Sequence, residues 1–115
     1  MEYKLINCKN ATYLASKLEF QIGNFLFKDK NRKLFVVNGE RHMEDGPAMI
    51  DYFPGKDKCV YIEAYFIKNK LSRENGPAYI TYNENGEIKN IEYWLEGIKY
   101  SEKKYLQQIE TKLYW

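Results

Sequence analysis

The chain reads as a mainly β protein, an antiparallel β-hairpin repeat array forming a single sheet or stacked hairpins and closed by a C-terminal α-helix. GluArgHisMetGluAspGlyProAlaMetIleAsp at 40–51 returns thirty residues later as LysLeuSerArgGluAsnGlyProAlaTyrIleThr at 70–81. Self-similarity at such a spacing marks a supersecondary unit that buries its apolar side against its neighbours. Aromatics make up 17% of the 115 residues, eleven of them Tyr, a residue suited to pleated, half-buried surfaces with its hydroxyl left wet. After Leu95 the pattern changes, and Leu106, Ile109 and Leu113 recur at helical spacing.

Taken in order, GluTyrLysLeuIle at 2–6 opens as a strand, and ThrTyrLeuAlaSerLysLeu at 12–18 fits a short helix or a strand equally. Residues 18–27 and 33–37 read as two strands joined by the turn LysAspLysAsnArg, so 1–33 is a strand and capping segment ahead of the repeats at 34–100. Asn38-Gly39 introduces the first repeat. In the second, Asn85-Gly86 signals a type I′ turn with positive φ at both central residues. That turn sets Ile80 opposite Ile91, Ala78 opposite Tyr93 and Tyr82 opposite Lys89, with Tyr79 across from Glu92 and Thr81 across from Asn90 on the other face.

The same logic pairs Ala48 with Ala64, Ile50 with Ile62 and Tyr52 with Val60 around a loop of Gly55, Lys56 and Asp57. The returning strands then correspond at an offset of 29, Ile62-Glu63 matching Ile91-Glu92 and Tyr65 matching Trp94. Residues 101–115 are a capping helix, with Ser101 as N-cap and Glu102 in the first turn, where the helix dipole favours an acid. A helix there covers the last exposed edge or apolar face.

The Gly-Pro-Ala step has a structural explanation. Gly46 and Gly76 permit a tight bend, Pro47 and Pro77 fix φ and remove a donor where a strand begins, and Ala48 and Ala78 fit where strands approach closely. The preceding Glu44-Asp45 and Glu74-Asn75 offer side-chain acceptors to backbone N–H groups. AsnGlyGluArgHisMetGluAspGlyProAla at 38–48 resembles the MORN-like repeats written Asn-Gly-x-x-His-Arg-x-x-Gly-Pro-Ala, frequent in proteins of phages, large DNA viruses and bacteria. The second copy has Asn69 in place of Gly and Ser72 in place of His, and it keeps Arg73. The resemblance extends over about residues 34–106. It implies a β-hairpin array of phage or mobile-element origin and brings no catalytic residues with it.

Composition narrows the function. A formal charge of +2, from 18 basic against 16 acidic residues spread along the chain, provides no basic stripe to track phosphates, so direct nucleic-acid binding is not expected. No stretch reaches the ~20 apolar residues of a membrane span and the N-terminus lacks a secretory pattern, so the protein is expected to be cytoplasmic. Cys8 and Cys59 read as free structural thiols, too few for a disulfide framework or a metal site. Asn10-Ala-Thr12 has the form of a glycosylation acceptor without the secretory route to use it.

His42 is the single histidine and becomes Ser72 in the second copy, which argues for turn packing over catalysis or metal binding. Carboxylate pairs such as Glu44 with Glu74, or Glu63 with Glu92, arise from repetition alone. We therefore expect no catalytic residue, metal or cofactor. If Ala48, Ile50, Ile62, Ala64, Ala78, Ile80, Ile91 and Tyr93 form the buried side, the opposite side presents Met49, Tyr61, Glu63, Tyr65, Tyr79, Thr81, Glu92 and Trp94.

Tyr61, Glu63, Tyr65, Tyr79, Glu92 and Trp94 are then the candidate partner-binding residues, because Tyr and Trp supply large contact area at low entropy cost. The competing reading covers that face with the N-terminal strands or a second subunit. The expected function is non-catalytic binding of a host or mobile-element protein by a monomer or homodimer, inhibiting a host defence effector in the manner of an anti-CRISPR protein. The alternatives are a nucleotide-signal sponge using Arg41 and Arg73, and a weak hydrolase centred on His42 and Glu44.

Overall fold

The computed structural model describes residues 1–56 and 58–114. Among these, nine strands join one mostly antiparallel sheet and two more form a separate ribbon. β1 (Lys4–Asn7) runs parallel to β2 (Asn24–Lys28), and every other pairing is antiparallel. The path continues through β3 (Arg32–Val37), β5 (Met49–Tyr52), β6 (Val60–Ala64), β9 (Tyr79–Tyr82), β10 (Ile88–Leu95) and β11 (Ile98–Tyr100). β4 (Glu40–Arg41) pairs with β3, while β7 (Phe66–Ile67) and β8 (Lys70–Leu71) make the ribbon. β3 crosses the expected boundary at residue 33, so the N-terminal strands continue the same sheet as the rest.

The parallel pair requires a crossover, and α1 (Ala11–Ala15) supplies it. Asn10 caps α1 by accepting the Tyr13 N–H at 3.0 Å. The ambiguous segment is thus helical. Residues 18–23, expected as strand, instead form a 3₁₀ turn over Leu18–Phe20 followed by bends. Gln21 holds that turn by donating its amide to the carbonyls of Ala15 and Lys17. Gly39 lies against the same side chain: it has φ +80, and a Cβ there would sit 2.2 Å from Gln21 Oε1.

α1 packs Ala11 and Ala15 against Phe27, Leu34 and Val36, which all project from one face of the sheet, here the α1 face. α2 (Glu102–Tyr114) lies on the opposite face at the far end, where Tyr105 stacks on Tyr93 at 4.7 Å. Ser101 caps α2 as expected, its hydroxyl accepting the Lys104 N–H. The buried contact is not Leu106, which is 55% exposed, but Tyr105, whose hydroxyl donates to Arg73 O and accepts the Gly76 N–H.

The second hairpin keeps the expected pairs Ile80 with Ile91, Tyr79 with Glu92 and Thr81 with Asn90. Tyr82, however, faces Ile88 and not Lys89. The turn accounts for the start of this shift. Of Asn85 and Gly86 only Gly86 has positive φ, and its N–H donates to Asn83 O. This is a type I turn followed by a left-handed glycine, the three-residue hairpin loop, and not a type I′ turn. Lys89 is then absorbed in a bulge.

The first hairpin slips in the same way. Tyr52 faces Val60 as expected, but Tyr61 is bulged, so Met49 meets Ala64, Ile50 meets Glu63 and Asp51 meets Ile62. The loop runs from Phe53 to Cys59, with Lys56 N–H donating to Phe53 O across Pro54 and Gly55 (φ +75); Asp57, expected in a three-residue loop, lies outside the described residues. Because a one-residue slip moves a strand's side chains to the other face, Ile62 and Ala64 join Tyr79 on the α1 face. Ile50, Glu63, Ile80 and Ile91 line the α2 face.

Equivalent bonds recur along the chain. His42 N–H donates to Phe35 O and Phe35 N–H to Ala48 O; thirty residues on, Ser72 N–H donates to Tyr65 O and Tyr65 N–H to Ala78 O. Two-residue turns with positive φ at both positions stand at Asn38-Gly39, Lys68-Asn69 and Glu96-Gly97. Met43 N–H donates to Phe66 O and Arg73 N–H to Trp94 O, so the returning strand corresponds at 28 and not 29. Trp94 therefore matches Phe66, not Tyr65. Ala48, Ala64 and Ala78 are fully buried, as close strand approach requires.

Candidate binding surfaces

The register divides the six candidate residues between the two faces. Tyr79, Glu92 and Trp94 share the α1 face, on the half of the sheet beyond α1. Trp94 Nε1–H donates to Glu92 Oε1 at 2.9 Å, and Lys99 Nζ approaches the other carboxylate oxygen at 3.4 Å. Arg32 binds Asp51 through Nε and Nη2 at 2.6 and 2.8 Å, while its Nη1 reaches Thr12 Oγ1 on α1. A bidentate pair of this kind holds both side chains in one geometry.

Burial pushes the Tyr79 phenol above its ordinary range, and the nearby Glu92, Asp51 and Tyr61 add to that, partly offset by Arg32. Tyr61 has no partner in the ladder with β5. It occupies the β6 bulge, 38% exposed, its ring 4.8 Å from that of Phe53.

Glu63 and Tyr65 stand on the α2 face instead. Glu63 accepts a hydrogen bond from the Tyr82 hydroxyl, and burial together with that carboxylate pushes the Tyr82 phenol up to about 12. Tyr65 carries the Arg73 guanidinium over its ring at 4.0 Å. Arg73 donates to Pro77 O and Asn75 Oδ1, folding its side chain against its own loop. Arg41 is opposite Val36 and so belongs to the α1 face, stacked on Phe66 at 4.1 Å and bonded through Nε to Asn69 Oδ1. The two arginines project from opposite faces, and the structure does not bring them to a common ligand.

A cleft of about 960 Å³ opens where the two Gly-Pro-Ala loops meet the ribbon, lined among others by Asp45, Tyr65, Lys68, Arg73, Glu74 and Lys112. Lys112 is paired with Glu74 at 3.0 Å, and Glu44 lies 3.5 Å from His42 Nε2. The expected backbone contacts of Glu74 and Asn75 are thus replaced by pairing with Lys112 and Arg73. His42 is 8% exposed, and its Nδ1 accepts the Lys68 N–H at 3.0 Å. The Nδ1 bond ties the first loop to the ribbon, and Glu44 approaches Nε2 from the solvent side.

Among the described residues no group of three or more His, Cys, Asp or Glu side chains is placed to hold a metal ion, and no helix is long and apolar enough to cross a membrane. Cys8 and Cys59 are free and half-buried, bonded through Sγ to the carbonyls of Lys28 and Glu84.

Arg32, Asp51 and Tyr82 are the surface residues that sequence reasoning passed over. Tyr82 had a signal in its recurrence as Tyr52. The pairing of Arg32 with Asp51 depends on a strand contact across 19 residues that no local pattern encodes. Comparison with protein families, with curated proteins and with solved structures finds no match.

Proposed function

We propose that this chain is a non-catalytic protein-binding module, a β-hairpin repeat array of the MORN-like kind, whose binding surface is the open half of the α1 face. The observation that carries the reading is the grouping of Tyr79 and Trp94 beside the fixed Arg32–Asp51 and Trp94–Glu92 contacts. Aromatic side chains already held by polar partners lose little conformational freedom on binding, which favours them as anchors. The molecule measures 42 × 36 × 20 Å, a slab whose broad faces suit a protein partner.

The pattern at 38–48 supports a phage or mobile-element origin, and with it a host defence effector as the partner, blocked by steric occlusion as an anti-CRISPR protein blocks its target. Capture from lysate of the producing organism or its host, followed by mass spectrometry, tests this. A stoichiometric protein is expected with the native chain and with Tyr65→Ala, and is lost with Tyr79→Ala/Trp94→Ala at unchanged thermal stability. Retention of the partner by the folded double variant sinks the assignment of the α1 face.

A further inference from the structure

One edge geometry is used twice in the sheet and a third time without an occupant among the described residues. β3 receives β4 at Val36 and Val37, and on the same edge it receives β5 at Arg32 to Leu34. Phe35 marks the junction, its C=O accepting from His42 and its N–H donating to Ala48. Tyr65 is the junction of the second use, taking Ser72 from the ribbon and giving to Ala78, after which β9 pairs with Ile62, Glu63 and Ala64.

In the third, Tyr93 faces Tyr100 of β11, but α2 follows where a Gly-Pro-Ala segment and a strand would come. β11 pairs only Tyr93 to Leu95, so no strand lies along that edge of Ile88 to Glu92. Ile88 is 61% exposed and Ile91 38%, against 6% for Ile80 one strand inward.

A bulge and a lysine are ordinary devices for blocking a free edge. Here they do not block it. The β10 bulge at Lys89 stands 28 residues after the β6 bulge at Tyr61, and β6 still accepts β9 just beyond its bulge. Asn90, Ile91 and Glu92 hold the positions of Ile62, Glu63 and Ala64. Strand alternation points the Ile91 N–H and C=O toward the vacant edge, while Tyr93, unlike Phe35 and Tyr65, is already paired with Tyr100 of β11.

We propose that the Asn90 to Glu92 edge is a docking site for one extended strand of a partner protein, added antiparallel. The two strands that fill the equivalent places define its chemistry. Each enters with a fully buried alanine, Ala48 or Ala78, and sets Ile50 or Ile80 on the α2 face at the position that meets Ile91 here. The occupant therefore has a small residue at its entry point and an apolar residue two places later. A second copy pairing through this same edge puts Glu87 or Lys89 at the entry point, which does not fit where alanine is fully buried. Main-chain hydrogen bonds supply affinity and the small and apolar positions supply selectivity, the mode of strand addition.

This deepens the protein-binding reading, and the test addresses the edge alone. A synthetic peptide with the sequence of residues 74–82 is titrated into the intact protein and followed by amide chemical shifts and hydrogen exchange. Saturable binding is expected, with slowed exchange at Ile91. It is expected to be lost when the peptide is N-methylated at its isoleucine, and with Ile91→Pro, a substitution an edge strand tolerates where the N–H faces solvent. The N-methylated peptide decides the matter even where Ile91→Pro does not fold. Absence of saturable binding, indifference to N-methylation, or shifts confined to the α1 face overturns the proposal. A failed titration removes the edge site and leaves the α1-face reading to its own capture experiment.

Discussion

The two Gly-Pro-Ala loops follow the same path and are anchored by different chemistry. The first is tied by His42, which accepts the Lys68 N–H, and by the Tyr3 hydroxyl donating to His42 O. The second has Ser72, whose hydroxyl accepts the Glu96 N–H, and is clamped from α2 by Tyr105, bonded to Arg73 O and Gly76 N–H. Backbone ladder and buried alanine are common to both, whereas the polar side chains differ. The path is thus set by strand pairing and close approach, and each loop is fastened by whatever neighbour it meets.

Enlarging the shared feature produces the largest expected effect. Ala48→Leu and Ala78→Leu each overpack a fully buried site and are expected to cost about 1–3 kcal/mol, similar for the two in denaturant titration; a tolerated substitution at either one breaks the equivalence. Next comes Tyr105→Phe, which leaves the Gly76 N–H and Arg73 O without their partner and costs about 1–2 kcal/mol. Hydrogen exchange is expected to quicken at Gly76 and stay unchanged at Gly46, and a change at both loops contradicts separate anchoring.

His42→Ser gives the first loop the residue of the second. It is expected to keep the Lys68 N–H slow to exchange, because the Ser72 hydroxyl accepts the equivalent Glu96 N–H, whereas His42→Ala removes the acceptor and is expected to cost about 1 kcal/mol with faster exchange at Lys68.

A smaller, pH-dependent effect belongs to Tyr82. Its folded pKa of about 12 lies above the ordinary phenol value of 10.0, so its contribution is complete below pH 10 and is lost as the pH rises toward 12. Tyr82→Phe is expected to remove that part of the alkaline loss of stability, and identical alkaline profiles for the two proteins refute the Glu63 assignment. Least of all, Lys56→Ala removes an exposed pair with Glu84 between the hairpin tips and is expected to leave the melting temperature unchanged.

How far the sequence was legible follows the range of each interaction. The capping of α2 by Ser101 is a local property and was readable. The pairs centred on Ile80 and Ile91 match expectation because two one-residue shifts cancel, the three-residue turn setting Tyr82 opposite Ile88 and the bulge at Lys89 restoring the count. The bulges at Tyr61 and Lys89 were not readable, since accommodating one extra residue depends on strands across the sheet. That slip alone separated Glu63 and Tyr65 from Tyr79, Glu92 and Trp94. Arg41 and Arg73 look equivalent by type, yet stand at different places in their repeats and project from different faces.

Alternation, turn residues and the doubled Gly-Pro-Ala step were enough by themselves to determine a mostly antiparallel β protein with a C-terminal helix. These are short-range constraints, written in a few adjacent residues each. The tertiary structure alone decided which side chains share a face, that β1 enters parallel through α1, that Tyr105 and not Leu106 seats α2, and that one edge of β10 stays open. Each of these depends on how distant strands count their residues against one another, and in a sheet of period two a single inserted residue reverses the answer.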